Sequence, residues 1–174
     1  EVENVRAAPV DRIQLDVSLS RHYGVDDTGE SRDVHAYRTL RRIEPPGTLD
    51  GGDVLTIGDQ CFVGRSARSN ADGIRQFARF AAEDGQATTP VDVSGVLHLK
   101  SAVSCLDDQT LLVGPGTVPE TMFAGFTIIP KVESEIHLAS TLRMRNGRLL
   151  MTANAPGTAE RVASRGFGVD LIDL

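Results

Sequence analysis

The sequence predicts an α/β fold assembled from repeated strand–strand–helix–strand units. Three observations carry that reading. One order of elements recurs in stretches starting near Asp53, Leu97 and Ser140, at intervals of about 43 residues. Each stretch opens with two short β-prone runs joined by a turn signal: Gly58-Asp59, Asp107-Asp108 and Asn146-Gly147. No unit of this kind can cover its own apolar faces, so neighbouring units must bury them against one another.

In the first unit, Val54-Leu-Thr-Ile and Cys61-Phe-Val are the paired strands. Ser69 is expected to cap a helix starting at Asn70. Ile74, Phe77, Ala78 and Ala81 recur at helical spacing and give it one apolar stripe. Gly85 ends the helix, and Thr88 to Val93 forms the third strand. In the second unit a strand is expected through Leu97-His-Leu-Lys-Ser-Ala-Val-Ser-Cys, returning as Thr110-Leu-Leu-Val. Pro119 to Phe123 is a short helix with proline in its first turn, and Phe126-Thr-Ile-Ile closes the unit. In the third, Thr141-Leu-Arg-Met and Arg148-Leu-Leu-Met flank Asn146-Gly147, the strongest short hairpin signal. Thr158 to Ser164 reads as a helix stopped by Gly166, and Val169-Asp-Leu-Ile is the last strand. The units are therefore expected near residues 53–94, 97–130 and 140–174 of one domain over 45–174. Residues 1–44 fit no unit: Asp16-Val-Ser-Leu and Tyr37-Arg-Thr-Leu are strand candidates around a polar loop at 26–33. Glu1 is not an initiator residue, so a processed or shortened N-terminus is expected.

Composition bounds the function class. The chain has 174 residues, 40% hydrophobic and 24% charged, which suits a globular protein with a real core. A net charge of −6 argues against nucleic acid or an anionic membrane as partner. No apolar run approaches a membrane span and no signal peptide is visible, which makes the cytoplasm the default compartment. Cys61 and Cys105 form no CxxC pair and stand near no histidine at ligand spacing, so zinc is not expected.

Three segments could carry chemistry. Pro45-Pro-Gly-Thr-Leu-Asp-Gly-Gly-Asp is either a loop with turn-forming aspartates or a rigid mount that presents a carboxylate to a cation. Gly64-Arg-Ser-Ala-Arg-Ser-Asn leads from a strand into a helix. Arg65 or Arg68 there could bind a carboxylate bidentately or simply be solvated. His98 lies in the strand-like run. Alternation sets it with Lys100, Ala102 and Ser104 opposite the apolar Leu97, Leu99, Val103 and Cys105. That makes Cys105 a core residue and not a nucleophile paired with His98. His22, His35 and His137 have no partner spacing and read as surface residues.

Together, Thr48-Leu-Asp-Gly-Gly-Asp-Val-Leu, Phe62-Val-Gly-Arg-Ser-Ala-Arg-Ser-Asn and Leu97-His-Leu-Lys-Ser resemble, in order and spacing, the dimethylarginine dimethylaminohydrolase and amidinotransferase family, the penteins. The resemblance runs from about Arg41 to Leu174, about three quarters of the chain. It implies a pentein-type α/β propeller of ββαβ units, of which about three are recognisable here, so that the chain looks truncated at both ends. It implies hydrolysis of the guanidinium of N-methylated arginine to citrulline and an amine, with a small guanidine substrate as partner and no cofactor. Asp50 then matches the acid that pairs with guanidinium and histidine, His98 the general acid/base, and Arg68 the binder of the substrate's α-carboxylate. Two departures stand out. No Phe-Val-Glu-Asp motif occurs in residues 1–44, and neither Cys61 nor Cys105 holds the nucleophile's position. The chain alone is therefore expected to be inactive. Arginine deiminase, amidinotransferase and a non-catalytic binding remnant are the competing readings.

Overall fold

The computed structural model describes residues 41–173. The strand candidates Asp16–Leu19 and Tyr37–Leu40, the loop at 26–33, His22 and His35 lie outside the described residues. Three three-stranded sheets follow one another, and each repeats one topology: an antiparallel hairpin, then a third strand parallel to the second. The first holds β1 (Val54–Ile57), β2 (Gln60–Arg65) and β3 (Ala87–Asp92), with α1 (Ala71–Glu83) crossing between β2 and β3. The second is preceded by one helical turn, α2 (Leu99–Ala102), and holds β4 (Val103–Cys105), β5 (Thr110–Val113) and β6 (Thr127–Pro130). Its crossover contains only a 3₁₀ turn, Glu120–Phe123, with Pro119 at the cap instead of inside the first turn. The third holds β7 (Thr141–Arg143), β8 (Leu149–Thr152) and β9 (Val169–Ile172), with α3 (Pro156–Ala163) as its crossover.

Strand periodicity explains how the units fit together. Val54, Cys61 and Val63 face α1 and bury Ile74, Phe77 and Ala81. The alternate residues Leu55, Ile57 and Phe62 face the other way and pack on Leu99, Val103, Leu111, Val113 and Phe123 of the second unit. β1 and β2 are thus buried on both faces, so they read as nearly unbroken apolar runs. Phe62 lies 4.9 Å from Phe123 and 5.9 Å from Phe126, centroid to centroid, at tilted and edge-on angles that suit aromatic pairs. Leu106, Leu112 and Ile129 of the second unit join Leu149, Met151, Ala159 and Val162 of the third.

Local geometry departs from the sequence reading at two further places. The α1 cap is Asn70, not Ser69: the Asn70 carboxamide oxygen accepts from Gly73 N at 2.8 Å, and the helix starts at Ala71. The Asn-Gly hairpin forms where the sequence places it, as a three-residue loop with only Gly147 in the left-handed region, at φ 80°, closed by Met144 N donating to Arg148 O. The largest departure concerns Leu97 to Cys105. Only Val103–Cys105 is strand, Leu99–Ala102 is a helical turn, and Leu97 is exposed. The turn is fixed at its start by a buried acceptor, a tertiary contact that local alternation does not report.

Candidate active site

The site grows from the glycine-rich loop before β1. Asp50 caps the 3₁₀ turn Gly51–Asp53, its Oδ1 accepting from Gly52 N at 2.8 Å. Asn70 ties the loop to the start of α1: its Nδ2 donates to Pro46 O at 2.8 Å, and its Oδ1 accepts from Thr48 N at 3.1 Å. Asp50 N donates to Ser69 Oγ at 2.9 Å. The carboxylate of Asp50 is therefore held by its neighbours before any ligand is considered.

Asp53 is the hub. Its side chain is fully buried and accepts three hydrogen bonds: from Ser66 Oγ at 2.6 Å, from Ser69 Oγ at 2.6 Å and from Leu99 N at 2.9 Å. One carboxylate thereby joins the glycine-rich loop, the loop between β2 and α1, and the start of α2. Sequence reasoning placed Asp53 in the motif but gave it no role. The clue was Ser69, a strong cap residue immediately before an equally strong one, Asn70, which leaves the Ser69 hydroxyl free for another acceptor.

His98 occupies the N-cap position of α2 in extended conformation. The β-strand expectation for His98 is thus corrected, since what aims the imidazole is the start of a helical turn and not strand alternation. The structure brings His98 Nε2 to 3.4 Å from Asp50 Oδ1, and Arg68 Nη1 to 3.5 Å from Asp50 Oδ2. The imidazole and the carboxylate are each about four-fifths shielded, whereas the Arg68 side chain is half exposed. His98 Nε2 is close enough for an ion-pair contact but too misaligned for a hydrogen bond, so this buried atom has no hydrogen-bond partner. The backbone bond from Gly52 lowers the pKa of Asp50, with further help from His98 and Arg68; this outweighs the opposing effect of burial. A carboxylate kept ionised beside an imidazole can grip a guanidinium while the imidazole moves protons.

The other candidates fall elsewhere. Arg65 reaches Asp92 at 3.2 Å across the parallel β2–β3 pair, so of the two arginines it is Arg68 that stands at Asp50. His137 is exposed. Cys61 is fully buried, its thiol donating to Gln86 Oε1 at 3.4 Å, and Cys105 Sγ donates to Asp107 O at 2.9 Å. Burial pushes both thiols above the usual range, away from the thiolate form. Among the described residues, no group of three or more His, Cys, Asp or Glu is arranged to hold a metal ion. Among the described residues, no helix is long and apolar enough to cross a membrane.

Gly52 matters because a Cβ there would stand 2.7 Å from the His98 ring. Gly52→Ala should displace the imidazole while leaving the sheets folded. The expected result is an altered His98 ring NMR signal with a melting temperature within a few degrees of wild type. An unmoved ring signal would show that the loop gives way instead.

No family model matches the chain. Among curated proteins, the dimethylarginine dimethylaminohydrolase of Streptomyces coelicolor is 44% identical over 133 residues, 74% of this chain and 49% of that protein. Its counterpart in Pseudomonas aeruginosa is 36% identical over 134 residues, 77% of this chain and 52% of that protein. The chain is a homologue of the dimethylarginine dimethylaminohydrolases. It spans about half the length of the curated relatives it matches. The Pseudomonas aeruginosa enzyme, solved as a cysteine-to-serine mutant complexed with citrulline, superposes with a TM-score of 0.68 over 76% of this chain and 51% of that one. The inosamine-phosphate amidinotransferase of Streptomyces griseus reaches a TM-score of 0.65 over 77% of this chain and 43% of that one at 15% identity, a likeness of fold alone. The fold is the pentein α/β propeller, and the three sheets are its recognisable blades.

Proposed function

We propose that this chain supplies the guanidinium-gripping carboxylate and the general acid/base of a hydrolase that converts N-methylated arginine to citrulline and an amine. The observation that carries it is the convergence of His98 and Arg68 on the two oxygens of Asp50, at 3.4 Å and 3.5 Å. Asp50 holds the substrate guanidinium. Arg68 binds the α-carboxylate, displacing its long contact with Asp50 for a bidentate one. A thiolate attacks the central guanidinium carbon and a C–S bond forms. The C–N bond to the methylated nitrogen breaks as His98 gives that nitrogen a proton. His98 then takes a proton from water as the water oxygen attacks, the thiolate leaves, and the ureido product remains. Two solved relatives, the cysteine-to-serine mutant complexed with citrulline and a histidine-to-glycine mutant adduct with S-methyl-L-thiocitrulline, support the reading.

The nucleophile in this proposal is a cysteine outside the 174 residues. Cys61 is sealed in the core and Cys105 is hydrogen-bonded to the turn after β4, and both thiols are disfavoured as thiolates. The test is citrulline release from dimethylarginine. The full-length protein bearing that cysteine should release it, the 174-residue chain should not, and Cys61→Ala and Cys105→Ala should change little in the full-length protein. Arg68→Ala should raise KM about 10- to 100-fold with kcat nearly kept, the size of a lost charged hydrogen-bonded clamp. Activity that vanishes with Cys105→Ala, or no citrulline from the full-length protein, would overturn the proposal; the latter result points to a binding remnant.

A further inference from the structure

Lys131 follows β6 and is 1% exposed. A lysine is almost never buried this fully without a partner for its charge. Among the described residues no carboxylate lies within ion-pair distance of it. Its Nζ instead donates to Ser101 O at 2.6 Å. Ser101 lies in the one-turn helix α2, and its carbonyl is among those the turn leaves without an internal partner. At the other end of the same turn, Leu99 N donates to the buried Asp53 carboxylate at 2.9 Å. A buried anion thus holds the start of α2 and a buried cation holds its end, and the residue that precedes the turn is His98. Charges of these signs at these ends suit the exposed N–H and C=O groups they meet.

We propose that Lys131 is a positioning residue: its ammonium clamps the end of α2 and so fixes the place of the His98 imidazole. This rests on the reading of His98 as the acid/base. The alternative, that Lys131 merely holds the fold together, fits the energetics poorly. Burial lowers its pKa to about 8, so the folded state disfavours its charge. A group whose pKa falls from about 10.4 on folding destabilises the protein at every pH below the folded value, and the penalty fades only as pH rises toward the unfolded one. At neutral pH a methionine of similar length would pack there with no such penalty. What methionine lacks is the donor to Ser101.

The experiment compares wild type, Lys131→Met and Lys131→Gln, the last retaining a neutral donor. The amides of Ser101 and Ala102 both donate to His98 O, so their hydrogen exchange reports opening of the turn. The Ile74 amide, bonded to Asn70 O at the start of α1, is the internal reference. In Lys131→Met, exchange at Ser101 and Ala102 should rise about tenfold, the effect of one lost charge-assisted bond, with Ile74 unchanged and the melting temperature at pH 7 not lowered. In the full-length protein kcat should fall by a similar factor with KM within about twofold. Lys131→Gln should lie between the two, and it decides by the same comparison if the methionine variant fails to fold. Unchanged exchange at Ser101 and Ala102, or an equal rise at Ile74, overturns the clamp. Unchanged kcat in an active protein overturns the positioning role. A wild-type protein that makes no citrulline overturns the reaction while leaving the exchange result to judge the clamp.

Discussion

His98→Ala should lower turnover of dimethylarginine in the full-length protein by about 10²-fold or more, with a much smaller change in KM. General acid/base groups contribute roughly 10²- to 10⁴-fold, and the proposed mechanism uses this one imidazole twice. Removing the leaving amine without a proton and activating water without a base are both slow at neutral pH; Asp50, its pKa lowered, has no proton to give the amine and is only a weak base toward water. The loss should fall on kcat, since the proposed mechanism gives the guanidinium grip to Asp50 and the carboxylate grip to Arg68. The side chain is four-fifths shielded, so truncation also opens a small cavity beside Gly52. A melting curve on the same variant separates that effect from the chemistry. The measurement is citrulline release across pH 5 to 10; equal rates for the two proteins would end the acid/base assignment.

The sequence made the repeat legible because its strands are short, apolar and punctuated. β1, β2, β5, β6, β8 and β9 lie within a residue or two of the β-prone runs, and α1 lies under the stripe of Ile74, Phe77 and Ala81. The segment it misread, Leu97 to Cys105, alternates on paper like a strand. That alternation is produced by two different structures in series, a helical turn and then a strand. Leu99 and Ala102 are buried because they are three apart on one turn, and Val103 because it begins β4. His98 therefore reaches Asp50 for a reason alternation does not contain. Lys131 was equally silent: a lone lysine after Phe126-Thr-Ile-Ile-Pro reads as the polar end of a strand, and only the fold shows it enclosed.

Asp53→Ala should be the most destabilising substitution at the site, by about 3–5 kcal/mol, the size of roughly two hydrogen bonds to a charged acceptor at about 1.5–3 kcal/mol each. Three donors lose their acceptor at once. Ser66 Oγ and Ser69 Oγ can rotate toward other partners, but Leu99 N is fixed by the backbone of α2 and stays unsatisfied. Asp53→Asn separates charge from shape. The amide oxygen can still accept from Leu99 N, but the NH₂ group now faces two hydroxyls that must turn from donors to acceptors. The expected cost is about 1–2 kcal/mol, near that of one ordinary hydrogen bond. Against a typical domain stability of about 5–15 kcal/mol, the alanine variant falls to the edge of folding and the asparagine variant does not. Urea unfolding of both variants checks this through the shift in midpoint at constant slope. The two should also differ at His98: alanine releases the start of α2 and lets the imidazole leave Asp50, whereas asparagine keeps it. An alanine variant within about 1 kcal/mol of wild type would mean that buried water replaces the carboxylate and that the loops at 48–53, 66–69 and 98–99 hold one another without it.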